Sequence, residues 1–337
     1  MGSVAPDRPS PSPELAVIPR GNAPRRPSRS RWRVAAPDRA FEYLMIACAL
    51  SVLAIVGLVL LELVLHSRRS LHEFGWSFFV SSMWDPVAGD FGALPFIYGT
   101  LVSSAVALVL AVPLAVGVAV YVNEMCPRML KRPVSFMVEL LAAIPSVIYG
   151  LWGIFVLVPV LRDGFMKPVT KYLGWIPLFK GPVYGPSMLA AGVLLSIMII
   201  PFILSVTREV LATVPQRQKE AVLSLGGTRW EMLRIVIGQH CIPGIFGAAI
   251  LGLGRALGET MAVTMVIGNR PEALLSLFQP GYSMAAVIAN EFTEAVGDVY
   301  LSSLVLIGLI LYMMTFAVNL AAKWILAKMV ARASKGI

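Results

Sequence analysis

Charge is what this sequence has least of. Asp, Glu, Lys and Arg make up 14% of the 337 residues, and 57% are hydrophobic. Soluble domains are about a quarter charged and about half apolar, so a water-soluble globular fold is excluded on composition. Cysteine and histidine are also scarce, with three of each. Cys48, Cys126 and Cys241 share no metal-ligand spacing, and they fall on apolar runs or beside them, so neither a disulfide framework nor a metal site is expected. No Gly-x-x-x-x-Gly-Lys-Ser/Thr run occurs, and Gly226-Gly227-Thr228 is not one, so no such loop cradles nucleotide phosphates. A short apolar core within the first thirty residues is missing too, and no cleavable signal peptide is expected.

What the sequence does have is long apolar stretches: 43–65, 98–122, 134–161, 184–206, 244–268 and 301–326. A bilayer core about 30 Å thick takes roughly 20 helical residues, so each stretch is long enough to cross. The expected fold is all-α, a polytopic membrane protein with about six transmembrane helices. Pro113, Pro145 and Pro201 lie inside the runs; each removes a helical hydrogen bond, which membrane bundles tolerate when neighbours satisfy the freed groups. Gly117, Ala142, Ala143, Gly192, Gly252 and Gly254 suit close helix contacts.

The net charge is +9, and its distribution separates a topology signal from a nucleic-acid footprint. Lys and Arg number eight before residue 40, three in 123–133, five in 207–242 and four at the C-terminal end. The alternate segments carry two in 66–97, four in 162–183 and one in 269–300. By the positive-inside rule both termini and the 208–242 loop are cytoplasmic, and no nucleic-acid partner is expected. Residues 1–39, rich in Pro, Arg and Ser, read as a disordered basic tail beside anionic lipid; 40–337 read as one membrane domain.

The longest cytoplasmic connection, Arg208–Ile242, predicts two short helices. Thr213 and Gln216 have capping-box spacing, Pro215 suits a first turn, and Gly226-Gly227 ends the helix carrying Glu220-Ala221-Val222. Thr228 and Glu231 form a second box ahead of Trp230, Leu233 and Ile237, which share a face. Composition alone leaves open an interfacial hairpin lying on lipid. Glu220-Ala221-Val222, then Gly226, then Ile242-Pro243 resembles the EAA loop of bacterial ABC importer permeases, with Val222 in place of the third alanine. That resemblance implies a coupling helix, with Glu220, Ala221 and Gly226 at the contact with a separate ATPase subunit.

The fifth stretch places Arg255 and Glu259 near the middle of an apolar run. A central Arg costs roughly 2.5 to 3.5 kcal/mol on insertion scales, so such charges face a bundle interior or an aqueous path and have a partner. Spacing i, i+4 on one continuous helix predicts that each serves the other. One reading is a self-neutralised structural pair; the other is an anion site. The planar guanidinium fork matches oxyanions, and Glu259 accepts a hydrogen bond from a protonated one such as hydrogen phosphate, which sulfate cannot offer.

Gly254-Arg255-Ala256-Leu257-Gly258-Glu259-Thr260-Met261-Ala262, with Ala143-Ile144-Pro145-Ser146-Val147, is similar to the PstC-type permeases of phosphate importers over roughly residues 40–330. The resemblance implies an ABC importer type I permease, a subunit without catalytic chemistry of its own, in the bacterial plasma (inner) membrane. Arg255 and Glu259 are then associated with phosphate passage. The implied partners are a homologous second permease, an ATPase dimer that uses the ATP and Mg, and a periplasmic phosphate-binding protein. No cofactor is expected on this chain. Rival expectations are the same machine for sulfate or molybdate, a proton-coupled transporter or channel using Arg255 and Glu259 as a relay, and a non-transporting scaffold or sensor.

Overall fold

The computed structural model describes Gly2 and residues 36–333; the tail expected over 1–39 lies outside these residues, except that Ala36–Arg39 already belong to the first helix. The chain divides within that helix, α1 (Ala36–Phe74), between Leu58 and Val59. In the first unit the side chains of 41–58 are all exposed, as an apolar helix in lipid requires. The second unit holds everything that follows.

Among the described residues five helices are long and apolar enough to cross a membrane, and a sixth apolar segment is a pair of helices bent by 68°. The second crossing is α3 (Leu94–Val120), with Pro95 in its first turn, where a missing N–H is harmless. It ends in a π turn, Tyr121–Met125. The fourth is α8 (Met188–Ala212), capped by Ser187, whose hydroxyl accepts from the Ala190 N–H at 3.2 Å. Both helices run through their internal prolines, Pro113 and Pro201.

These two helices are the centre of the bundle. Ala107, Ala111, Ala115 and Ala119 recur every four residues on α3 and are fully buried, as are Ala190, Ala191, Leu194 and Ile199 on α8. A Cβ on Gly192 would lie 2.5 Å from Val106 Cγ1, so backbone approaches side chain directly. Small-residue packing replaces the hydrophobic drive that lipid cannot supply.

The third crossing differs from expectation. Residues 134–161 do not form one span: α4 (Arg128–Ala143) ends before Ile144 and Pro145, both extended, and a new helix starts at Ser146. That helix, composed of α5 (Ser146–Trp152), α6 (Val158–Leu161) and α7 (Lys167–Leu173) joined by π turns, continues to Leu173. Pro145 forces the break because it has no N–H and its ring disfavours helical geometry at Ile144. The Tyr149 hydroxyl ties the two sides together by donating to the Leu141 carbonyl at 2.8 Å.

Between α1 and α3 the chain forms a small aromatic knot: α2 (Ser77–Val80) and the antiparallel pair β1 (Trp84–Asp85) and β2 (Asp90–Phe91). The Asp85 carboxylate accepts from the N–H groups of Val87 and Ala88, which closes the turn. Trp84 meets Phe91 and Phe96 edge-on at 4.9 and 4.8 Å, while Trp76 remains 85% exposed. Trp84 is therefore core, and of the two tryptophans only Trp76 has the exposure of an interfacial anchor.

The remaining elements are α9 (Gln216–Ser224), α10 (Arg229–His240), α11 (Ile242–Gly258), α12 (Met261–Ile267), α13 (Met284–Glu291) and α14 (Asp298–Ala333). The connection from α12 to α13 is stitched across the start of α8. Ser187 N–H donates to Val266, Met188 N–H to Gln279 and Leu189 N–H to Leu277, with Phe278 fully buried beneath.

Candidate functional site

Helix α11 stops one residue before Glu259. Glu259 is extended, with φ −71° and ψ 126°, and α12 leaves at an angle after Thr260. Glu259 and Thr260 favour such a break, since their side chains bond nearby backbone: Glu259 Oε1 accepts from the Ala262 N–H at 3.4 Å, and the Thr260 hydroxyl donates to the Gly258 carbonyl at 3.3 Å. Tertiary contact completes the arrangement. Short α12 lies directly on α5 and the π turn after it, where Gly150 and Gly153 leave room for Ala262, Met265 and Val266.

The break overturns the expected geometry of the charged pair. Arg255 sits in the last turn of α11 and Glu259 outside it, so the two do not share a helix face, and no ion pair joins them among the described residues. Arg255 instead covers the Phe202 ring of α8 at 4.1 Å, a cation–π contact. Its position also suits the negative end of the helix dipole. Around it, a Cβ on Gly247, Gly254 or Gly258 would meet nothing within 4 Å, and Leu251 is 62% exposed. Residues 247, 251, 254, 255 and 258 recur at helical spacing, so one glycine-lined face of α11, carrying Arg255, is uncovered in this chain.

The 213–240 segment forms the two helices expected, with one change. Thr213 makes no cap; its hydroxyl donates back to the Val210 carbonyl of α8 at 2.7 Å, and Pro215 precedes α9 instead. The end of α9 is a complete Schellman turn. Gly226 lies at φ +82°, its N–H donates to Leu223, and the Gly227 N–H donates to Val222. Glu220 and Ala221 are exposed on α9, and Leu225 beside the turn is 89% exposed.

The second capping box forms as read. Glu231 Oε2 accepts from the Thr228 N–H at 2.7 Å and its hydroxyl at 2.9 Å, while the Thr228 hydroxyl accepts from the Glu231 N–H. These bonds, led by the Thr228 backbone N–H, hold the Glu231 carboxyl below its ordinary pKa. Trp230 and Leu233 part company, at 69% and 6% exposed.

Sequence reading missed two residues here. Lys219 of α9 reaches Glu124 in the π turn after α3, Nζ to Oε1 at 2.5 Å. Only a structure joins them, since they lie 95 positions apart. Cys241 is buried close by at the head of α11, and burial pushes its thiol pKa up.

The chain matches the family described as "Binding-protein-dependent transport system inner membrane component" over residues 111–332. It is 47% identical to the phosphate transport system permease protein PstC of Mesorhizobium japonicum, covering 89% of this chain and 93% of that protein. The proteins of the same name from Haemophilus influenzae and Xylella fastidiosa are each 44% identical, covering 83% and 88% of this chain and 90% and 93% of theirs. Among solved structures, the MetNI methionine ABC transporter in an inward facing conformation aligns with a TM-score of 0.49 at 19% identity, covering 71% of this chain and 94% of that one. The chain belongs to the binding-protein-dependent transport system inner membrane components, within the PstC group of phosphate transport permeases.

Proposed function

We propose that this chain forms half of the membrane pathway of an ATP-driven phosphate importer, with Arg255 as the counter-charge that replaces water around the passing anion. One observation carries the reading: Arg255 stands on the uncovered, glycine-lined face of α11 with no carboxylate partner among the described residues. A guanidinium inside a bilayer does not face lipid cheaply, so this face belongs against another subunit or an aqueous path. A homologous permease placed there would bring two slim helices together and leave space for an anion between them. Glu259, whose Oε1 is engaged at α12, retains Oε2 to accept from a protonated oxyanion such as hydrogen phosphate.

The driving force comes from other chains. The exposed run of Glu220, Ala221 and Leu225 on α9 and its turn docks an ATPase subunit, which holds the ATP and Mg2+. A phosphate-binding protein delivers substrate at the opposite face. The basic segments support a cytoplasmic position for both termini and α9, by the positive-inside rule.

Reconstitution of the complete transporter in vesicles tests this reading. Uptake of radiolabelled phosphate that requires ATP, survives a collapsed proton gradient and is not competed by sulfate or molybdate is the expected result. Uptake that follows the proton gradient without ATP would sink it, and equal competition by sulfate would remove the phosphate assignment.

A further inference from the structure

If α9 receives the push of the ATPase, some contact must carry that displacement into the membrane. The peptide chain itself offers α8 and α10. A second route crosses from α9 to α3 through the Glu124–Lys219 ion pair, and both side chains there keep only 13% of their surface. Every other ion pair among the described residues has both partners at least 41% exposed. Exposed pairs contribute little because water and salt screen them, whereas an enclosed pair is screened far less.

The surroundings are built to hold Glu124 in place. It lies in the π turn Tyr121–Met125, a distortion that interrupts an otherwise regular helix end and that recurs at functional positions. Asn123 Nδ2 donates to Glu124 Oε1 at 2.7 Å, and Lys131 Nζ donates to the Asn123 carbonyl at 2.7 Å. Four residues from three segments are thereby tied at one point. Beyond it, α3 packs along α8 through its fully buried alanine stripe and touches α11, the helix that carries Arg255.

We infer that the Glu124–Lys219 pair is the strut through which movement of α9 reaches the second span, which makes both residues positioning residues for transport. The inference rests on the importer reading above. It concerns this chain's interior and not the ATPase contact, for which Glu220 and Ala221 are exposed on the same helix.

The test uses the complete transporter in vesicles, with phosphate moved per ATP hydrolysed as the readout, alongside the amount of assembled complex. Glu124→Gln and Lys219→Met are each expected to hydrolyse ATP while moving about tenfold less phosphate per ATP, a typical coupling factor. The exchanged pair, Glu124→Lys with Lys219→Glu, is expected to recover most of the ratio. An unchanged ratio in the single variants overturns the strut. So does a loss that only parallels less assembled complex, or one that the exchanged pair fails to restore. A wild-type complex without ATP-driven phosphate uptake would overturn the importer reading itself, whereas a working wild type with a fully coupled Glu124→Gln variant overturns the strut alone.

Discussion

Gly150 of α5 packs against the backbone of Ala262 and the side chain of Met265 on α12. A methyl on Gly150 would lie 3.2 Å from the Ala262 Cα and 2.5 Å from Met265 Sδ. This contact seats the short half-helix after the break at Glu259 and Thr260. Gly150→Val is expected to push α12 off α5 at about 1–3 kcal/mol, the usual cost of overpacking. Thermal unfolding in detergent should fall by several degrees, and phosphate uptake should fall with it. A variant with wild-type thermal stability would show that α12 has slack the packing denies.

Arg255→Gln is expected to abolish phosphate uptake while membrane insertion and subunit assembly stay intact, since the uncovered face needs no charge to fold. Arg255→Lys should restore only part of the rate, because an ammonium lacks the planar fork. Uptake assays beside a membrane-fraction immunoblot separate the two effects. Wild-type uptake in Arg255→Gln would remove the site.

Glu259→Gln keeps the size of the side chain but adds a donor. Competition of labelled phosphate uptake by sulfate should become stronger in this variant, as the acceptor-only carboxylate that favours a protonated oxyanion is gone. Unaltered selectivity would leave Glu259 as a cap for α12 and nothing more.

Gly226 isolates backbone strain from packing. Its φ is +82°, and a Cβ there would touch nothing within 4 Å. Gly226→Ala should therefore cost about 1 kcal/mol, the ordinary penalty for a left-handed L-residue, without any clash. Hydrogen exchange at the Gly226 and Gly227 amides should rise, and Gly226→Asn should be milder. Equal exchange in wild type and Gly226→Ala would mean the Schellman turn is not what holds this end of α9.

The box at Thr228 makes α10 sensitive to acid. The Glu231 carboxyl has a lowered pKa in the folded chain, so its contribution is complete above the ordinary value near 4.5 and is lost as pH falls through the lower folded value. Amide exchange in the first turn of α10, corrected for intrinsic rates, should accelerate over that acidic window in wild type. In Glu231→Gln the acceleration should be absent; identical profiles would show that the box does not stabilise the helix.

Much of the membrane architecture was legible in local sequence, because apolar length and helix caps are local properties. Five of the six apolar stretches fall on helices long enough to cross, the third of them displaced, and the fifth stretch falls on the bent pair. Residues 162–173 lie beyond the third apolar stretch, yet the helix carries on through them to Leu173, with Asp163 paired to Arg162 and Lys167 along its surface. The Thr228–Glu231 box and the Gly226 stop were legible for the same local reason. Thr213 misled because its hydroxyl had a competing acceptor, the last turn of a longer α8.

The sequence by itself determined that this is a membrane chain of about six crossings with a capped protrusion and an Arg inside an apolar run, since hydropathy and capping depend on neighbours within a few residues. Only the tertiary structure decided that both motifs, Ala143–Val147 and Gly254–Ala262, are helix breaks, and that Arg255 is freed from Glu259. It alone joined Glu124 to Lys219. A break inside a bilayer survives only where other helices close around the freed backbone, and which helices do so is a property of the assembled bundle.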